Sequence, residues 1–183
     1  MQYPEQTLTL KNGQTALFRV PDPPQDAEAA LECFRASCGE TNFLSLGKDE
    51  VSLTAEDEMH YLKSALESPD RLMLMCFVDG RMAGNAQLMR LSTCKTRHRG
   101  VLMIGLRREF WGLGLGTALF RTLMEQGKRM GLAQLELEVL ESNERAIALY
   151  RKMGFSVMAE HPDAFRTPDG QSHKAIFMRC VLS

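Results

Sequence analysis

The chain has 183 residues, enough for one domain with a sizeable core, and its 44% hydrophobic and 25% charged content is that of an ordinary globular protein. A formal net charge of −1 gives no bulk attraction to nucleic acid or to an anionic membrane. No run approaches the ~20 apolar residues of a membrane span. The five cysteines (Cys33, Cys38, Cys76, Cys94 and Cys180) are odd in number and form no C-x-x-C pair. They suggest neither a zinc site nor a disulfide framework, and a reducing cytoplasm suits them. The start, Met1-Gln2-Tyr3-Pro4-Glu5, lacks the basic and apolar regions of a secretory signal. Twelve methionines read as core filler.

In chain order, Thr7–Leu10 and Thr15–Val20 flank Asn12-Gly13, a strong hairpin signal. Prolines at 21, 23 and 24 stop the second strand. A helix is expected over Gln25–Ser37, ended by Gly39. Glu40–Ser52 reads as a loop. Thr54 then caps a second helix, which has acids in its first turn and Met59, Leu62, Ala65 and Leu66 as its apolar stripe. Ser68-Pro69-Asp70 ends it. The continuous apolar run Leu72–Val78 predicts a strand buried on both faces, turning at Asp79-Gly80 into a partner strand over Met82–Arg90. A polar, basic loop over Ser92–Gly100 leads to a further buried strand, Val101–Leu106.

Three glycines then alternate in Leu106-Arg107-Arg108-Glu109-Phe110-Trp111-Gly112-Leu113-Gly114-Leu115-Gly116-Thr117-Ala118-Leu119, and an amphipathic pattern follows. This reads as strand, tight turn and helix. Such a turn and helix start can turn several backbone N–H groups on one anion. The spacing is neither G-x-G-x-x-G nor a P-loop, so a phosphate cradle and a ligand-free strand–helix turn both fit. The helix carries Leu115, Ala118, Leu119, Thr122 and Leu123 on one face and stops at Gly131. Leu135, Leu137 and Val139 alternate with Gln134, Glu136 and Glu138 as a strand. Ser142 or Asn143 caps another helix, ended by Gly154. Strands at Phe155–Ala159 and Ala175–Leu182, with Asp169-Gly170 between them, complete the chain. The fold class is α/β: a mixed, partly antiparallel central sheet with helices on both faces, in one domain over 1–183. The β-helix-β unit at the glycine turn requires a parallel crossover.

Trp111-Gly112-Leu113-Gly114-Leu115-Gly116 aligns with the pattern Q/R-x-x-G-x-G/A except at Trp111, and Glu138–Phe155 fits a strand followed by N-x-x-A-x-x-L-Y-x-x-x-G-F. On these two blocks the chain resembles the GCN5-related N-acetyltransferases (GNAT). The resemblance implies the GNAT, or acyl-CoA N-acyltransferase, fold. It also implies acetyl-CoA as co-substrate and transfer of its acetyl group to a primary amine of a small molecule or peptide. Trp111 stands where the family usually has Gln or Arg. Family contacts to the pyrophosphate are mostly backbone N–H groups, here those of Gly112, Leu113, Gly114, Leu115, Gly116 and Thr117.

By the same resemblance, the Leu106 backbone and Asn143 contact the pantetheine arm, and Tyr150 donates to the departing sulfur. An ordinary tyrosine, with pKa near ~10, is protonated at neutral pH. The plain readings are a buried strand residue for Leu106, a helix cap for Asn143 and an aromatic core residue for Tyr150. No acid lies within Val101–Leu106, where many members carry their base. Glu138 or Glu136 on the next strand, His98, or water is left for that step, and Glu138 lies nearer the strand's carboxyl end. An acid paired to arginine is the plain reading of either glutamate. No metal cluster is evident. Acids such as Glu40, Asp49, Glu50 and Asp163 lie in segments expected on the acceptor side. The alternative is a non-catalytic module of the same fold that binds or senses acyl-CoA. Dimerisation is common among related proteins, and no pattern in the sequence fixes oligomeric state.

Overall fold

The structure, a computed structural model, describes residues 3–167 and 169–182, with the Lys48 side chain outside that description. Met1 and Gln2 of the N-terminal stretch, and Pro168 within the expected 163–173 loop, lie outside the described residues. The elements run β1 (Gln6–Thr9), β2 (Thr15–Arg19), α1 (Pro23–Glu40), α2 (Ala55–Glu67), β3 (Arg71–Val78), β4 (Arg81–Arg90) and β5 (Arg99–Leu106). They continue α3 (Leu115–Arg129), β6 (Gln134–Leu140), α4 (Glu144–Lys152), β7 (Ser156–Arg166) and β8 (Ser172–Val181). The strands form one sheet in the order β1-β2-β3-β4-β5-β6-β8-β7. The β5–β6 pair is parallel and the other pairs are antiparallel. This is the expected mixed α/β architecture. Among the described residues no helix is long and apolar enough to cross a membrane.

Strand β3 shows why the sheet is covered on both sides. Leu72, Leu74, Cys76 and Val78 join the core that contains Leu119 and Leu123 of α3 and Ile147 of α4. The alternate residues Met73 and Met75 pack with Ala30 and Cys33 of α1 and Leu62 and Ala65 of α2. A period-2 strand with apolar residues on both faces must be buried twice, and it is. Burial also pushes the Cys33 and Cys76 thiols up, to about 11 and about 12, which makes them poor nucleophiles.

Helix α1 departs from its expected bounds. Pro23 and Pro24 sit at its first positions, where a missing N–H costs nothing. Buried Asp26 takes both arms of the Arg19 guanidinium at 2.7 Å, which ties the helix start to β2. At the other end the helix runs to Glu40, past the expected stop, with Gly39 inside its last turn. Glu40 is held there by Arg107 Nε at 3.3 Å and by the Arg108 N–H at 2.6 Å. Tertiary anchoring of the last residue outweighs the preference of glycine for an end.

Strands β7 and β8 are longer than expected. The added residues, 160–166 and 172–174, are mostly polar and show no alternation; they extend an edge hairpin that pairs at Glu160↔Ile176, His161↔Ala175, Phe165↔His173 and Arg166↔Ser172, with a register shift between His161 and Phe165. β7 is exposed along most of its length, so neither face leaves a hydrophobic period in the sequence.

Strand β5 is less buried than its apolar sequence suggests: Met103 is 42% exposed. It pairs with β6 only at Arg99↔Gln134, Gly100↔Leu135 and Val101↔Glu136. Beyond that, β5 continues against β4 to Leu106 while β6 continues against β8 to Leu140. The two strands part like the arms of a V. At the closed end the Arg99 guanidinium forks onto Glu136 with two contacts of 2.6 Å. At the open end β4 comes very close to β5. A Cβ on Gly84, whose φ is +148°, would lie 2.0 Å from the Gly105 carbonyl oxygen, so only glycine fits.

The Arg99 fork holds the Glu136 carboxyl below its ordinary 4.5, against the opposing effect of burial. A carboxyl lowered in this way stabilises fully above its ordinary value. That contribution is lost as pH falls through the lowered folded value. Urea midpoints of wild type and Glu136→Gln should therefore differ at neutral pH and converge as pH falls below the ordinary carboxyl value. A gap that does not change with pH would remove the ion pair from the stability of the V.

Candidate active site

The open end of the V leads into a cleft of about 330 Å³. Its walls come from four places. β5 supplies Ile104, Gly105 and Leu106, and the turn and first turn of α3 supply Trp111, Gly112, Gly114, Leu115, Gly116 and Thr117. Helix α4 and its N-cap supply Asn143, Arg145, Ala146, Leu149 and Tyr150. The end of α1 and the loop after it supply Ser37, Glu40, Thr41, Phe43 and Leu44, and Lys11 of the β1–β2 turn lies at the rim.

The backbone of the slot follows from strand alternation. Arg107 N–H donates to the Ala83 carbonyl of β4 at 2.9 Å. Neighbouring residues of an extended strand face opposite ways, so the N–H and C=O groups of Leu106 and Ile104 point away from β4, toward the gap left by β6. The Leu106 carbonyl is already engaged: the Trp111 indole N–H donates to it at 2.8 Å. What remains along this arm is the Leu106 N–H and both groups of Ile104, spaced to pair with an extended amide chain.

The glycine turn behaves as its sequence implies. Gly112 and Gly114 have φ of +83° and +95°, and Gly114 is the left-handed N-cap of α3. The first bond inside α3 runs from Ala118 N–H to Gly114 O, so the N–H groups of Leu115, Gly116 and Thr117 have no partner within the helix. No acid occupies the first turn of α3. The dipole end is therefore open to an anion. Leu113 is not among the lining residues; it packs against the core.

Asn143 caps α4 by accepting the Ala146 N–H at 3.2 Å, which leaves its Nδ2 donors for the cleft it lines. Tyr150 is 7% exposed, with its ring 5.0 Å from that of Phe120 and 6.3 Å from that of Phe155. Burial pushes its phenol up to about 12. The group is protonated across the neutral range, and its hydroxyl has no protein partner among the described residues. A buried proton donor thus opens on the same space as the N–H cradle.

The candidate bases separate. Glu136 is tied by Arg99 and by Gln134 Nε2 at 2.6 Å, as its plain reading held, and its lowered pKa makes it a weak base. Glu138 is exposed on β6, opposite Phe177 of β8, and is not among the lining residues. His98 is exposed just before β5, at the end of the strand away from the glycine turn. Of the acids expected on the acceptor side, Glu40 lines the cleft but is bound to Arg107, and Asp163 is bound to Arg166 and Ser172 on the β7–β8 hairpin. Glu50 accepts the Gly47 N–H. Of the lining from residues 37–44, Glu40 and the segment that follows it were expected on the acceptor side, whereas Ser37, Lys11 and Arg145 were not singled out from sequence. Of these only Arg145 left a signal, as a lone cation in the first turn of a helix within the second motif block.

The comparisons agree with this geometry. The acetyltransferase of the GNAT family from Streptococcus pneumoniae superposes with a TM-score of 0.84 at 27% identity, over 91% of this chain and 99% of that one. yncA from Salmonella typhimurium, solved with its cofactor acetyl-CoA, shares the fold with a TM-score of 0.79 at 19% identity, over 91% and 93%. In sequence, the spermidine N(1)-acetyltransferase of Escherichia coli K12 is 34% identical over 117 residues, 63% of this chain and 60% of that enzyme's length. The alanine N-acetyltransferase of ribosomal protein bS18 from the same organism is 40% identical over 70 residues, 38% of this chain and 47% of that enzyme. The chain thus spans less than two thirds of these curated relatives. The family model for the acetyltransferase (GNAT) family matches residues 30–155, and with a splayed β5–β6 pair opening on a glycine-turn cleft, the chain belongs to that family.

Proposed function

We propose that this protein is an acetyl-CoA-dependent N-acetyltransferase acting on a primary amine. The observation that carries the reading is the convergence, in one cleft, of a helix start with open N–H groups, a strand edge with unpaired amide groups and a buried protonated phenol. When bound, acetyl-CoA supplies a thioester carbonyl that a neutral amine attacks, the C–N bond forming as the C–S bond breaks. The turn at 112–117 would hold its pyrophosphate, and Ile104, Leu106 and Asn143 its pantetheine arm. Tyr150 would give its proton, or a hydrogen bond, to the sulfur as it leaves. The sharing of one sheet by all eight strands supports reading 1–183 as a single acetyltransferase domain.

For the proton leaving the amine we assign Glu138, the β6 carboxylate with no cationic partner among the described residues, which stands outside the cleft lining and would act through an intervening water. The acceptor is a primary amine of a small molecule or peptide. Relatives act, by their names, on spermidine and on a ribosomal-protein alanine. Glu40, the carboxylate among the described lining residues, is neutralised by Arg107, so the lining favours a single amine over a polycation. The acid-free β5 motivates the second reading, a module that binds acyl-CoA without turnover.

Tyr150→Phe separates the two. It should lower kcat about 10²-fold or more while changing the acetyl-CoA Kd by less than about threefold. An unchanged kcat would take the phenol out of the reaction. Because the phenol titrates near 12, the wild-type pH profile should show no falling limb from Tyr150 below about pH 11. Glu138→Gln should depress kcat/KM about tenfold on the acidic limb and less at high pH, where the amine is already neutral. A profile identical to wild type would give that proton to solvent.

A further inference from the structure

Arg145 is placed where a cation is disfavoured. It is the second residue of α4, beside the positive end of that helix's dipole. Among the described residues no carboxylate pairs with it, although it is exposed and free to seek one. Instead the guanidinium carbon lies 5.4 Å from the ring centre of Trp111. A Cβ placed on Gly112 would be 3.7 Å from Arg145 Nη2, so the fork reaches across to the glycine turn itself. Trp111 is in turn pinned by its indole N–H on the Leu106 carbonyl. A chain of contacts from β5 through the indole therefore sets where the guanidinium sits. Two helix N-termini, of α3 and α4, open on the same cleft, so the positive potential of three sources coincides there.

We infer that Arg145, positioned by Trp111, is the side-chain ligand of the pyrophosphate of coenzyme A. This rests on the proposed function of the cleft. Neutral N–H groups alone must face a diphosphate carrying two negative charges. A planar guanidinium adds a full charge and two parallel donors, and its cation–π contact with the indole preorganises it before the ligand arrives. The placement beside Gly112 selects the pyrophosphate over the 3′-phosphate of the ribose, because Gly112 belongs to the cradle. Exposure of Arg145 means that its replacement leaves the core untouched.

The experiment is calorimetric titration of wild type, Arg145→Ala, Arg145→Lys and Trp111→Leu with CoA and with 3′-dephospho-CoA. Arg145→Ala should raise Kd about tenfold or more, by the same factor for both ligands, as expected for loss of a charge-assisted pair. Arg145→Lys should recover part of that loss through charge without the fork. Trp111→Leu should raise Kd several-fold, and by less than Arg145→Ala, since its role is to hold the guanidinium. Raising salt should weaken the wild type more than Arg145→Ala. Wild-type affinity in Arg145→Ala would overturn the inference and leave the function standing. A loss seen with CoA and absent with 3′-dephospho-CoA would overturn the pyrophosphate assignment. If the wild type binds neither ligand, the function of the cleft falls, and this inference with it.

Discussion

The site depends on two parallel strands that pair for three residues and then separate. A fully zipped β5–β6 ladder would satisfy the backbone of Ile104 and Leu106 and leave nowhere for an extended ligand. Separation costs those hydrogen bonds, so something must hold the strands together elsewhere. The Arg99–Glu136 pair closes one end of the V, and the continued pairing of each arm with its outer neighbour, β4 or β8, keeps both arms extended. The cleft is thus a gap in a sheet, and its width is set by elements that do not touch the ligand.

The electrostatics of the cleft divide between charge and desolvation. At the mouth, the turn and the two helix starts offer N–H groups and a guanidinium, suited to phosphate. Deeper, Tyr150 lies among Phe120 and Phe155 and keeps its proton because water is excluded. A phenol near 12 is a weaker acid than in water but matches the direction of the proposed task, which is to give a proton to sulfur and never to be an anion at neutral pH. Glu40 shows the same cleft managing a carboxylate in the opposite way. Its charge is spent on fastening α1 to the turn that follows β5.

Much of this was legible in the residues. The element order, the two-faced burial of β3, the alternate glycines and the Asn143-to-Phe155 block follow from local period and turn chemistry, and the structure brings Leu106, the glycine turn, Asn143 and Tyr150 to one cleft. What was not legible depends on contacts distant in sequence. The parting of β5 from β6 leaves no local mark, because Met103 is apolar whether or not it is covered. Glu136 and Glu138 look alike at period 2, and the ion pair that tells them apart comes from Arg99, thirty-seven positions away. The reach of α1 to Glu40 hangs on Arg107 and Arg108. The hairpin of β7 and β8 is longer than its hydrophobic pattern because an exposed edge strand needs no such pattern.

The measurement that reaches the central claim most directly is release of the CoA thiol from acetyl-CoA in the presence of a panel of amines, including spermidine, simple monoamines and short peptides with free N-termini, with the acetylated product weighed by mass spectrometry. The account predicts thiol and N-acetyl product in equal amounts with at least one class of primary amine. Binding of acetyl-CoA with no thiol released across the panel would contradict a transferase and leave a binding module.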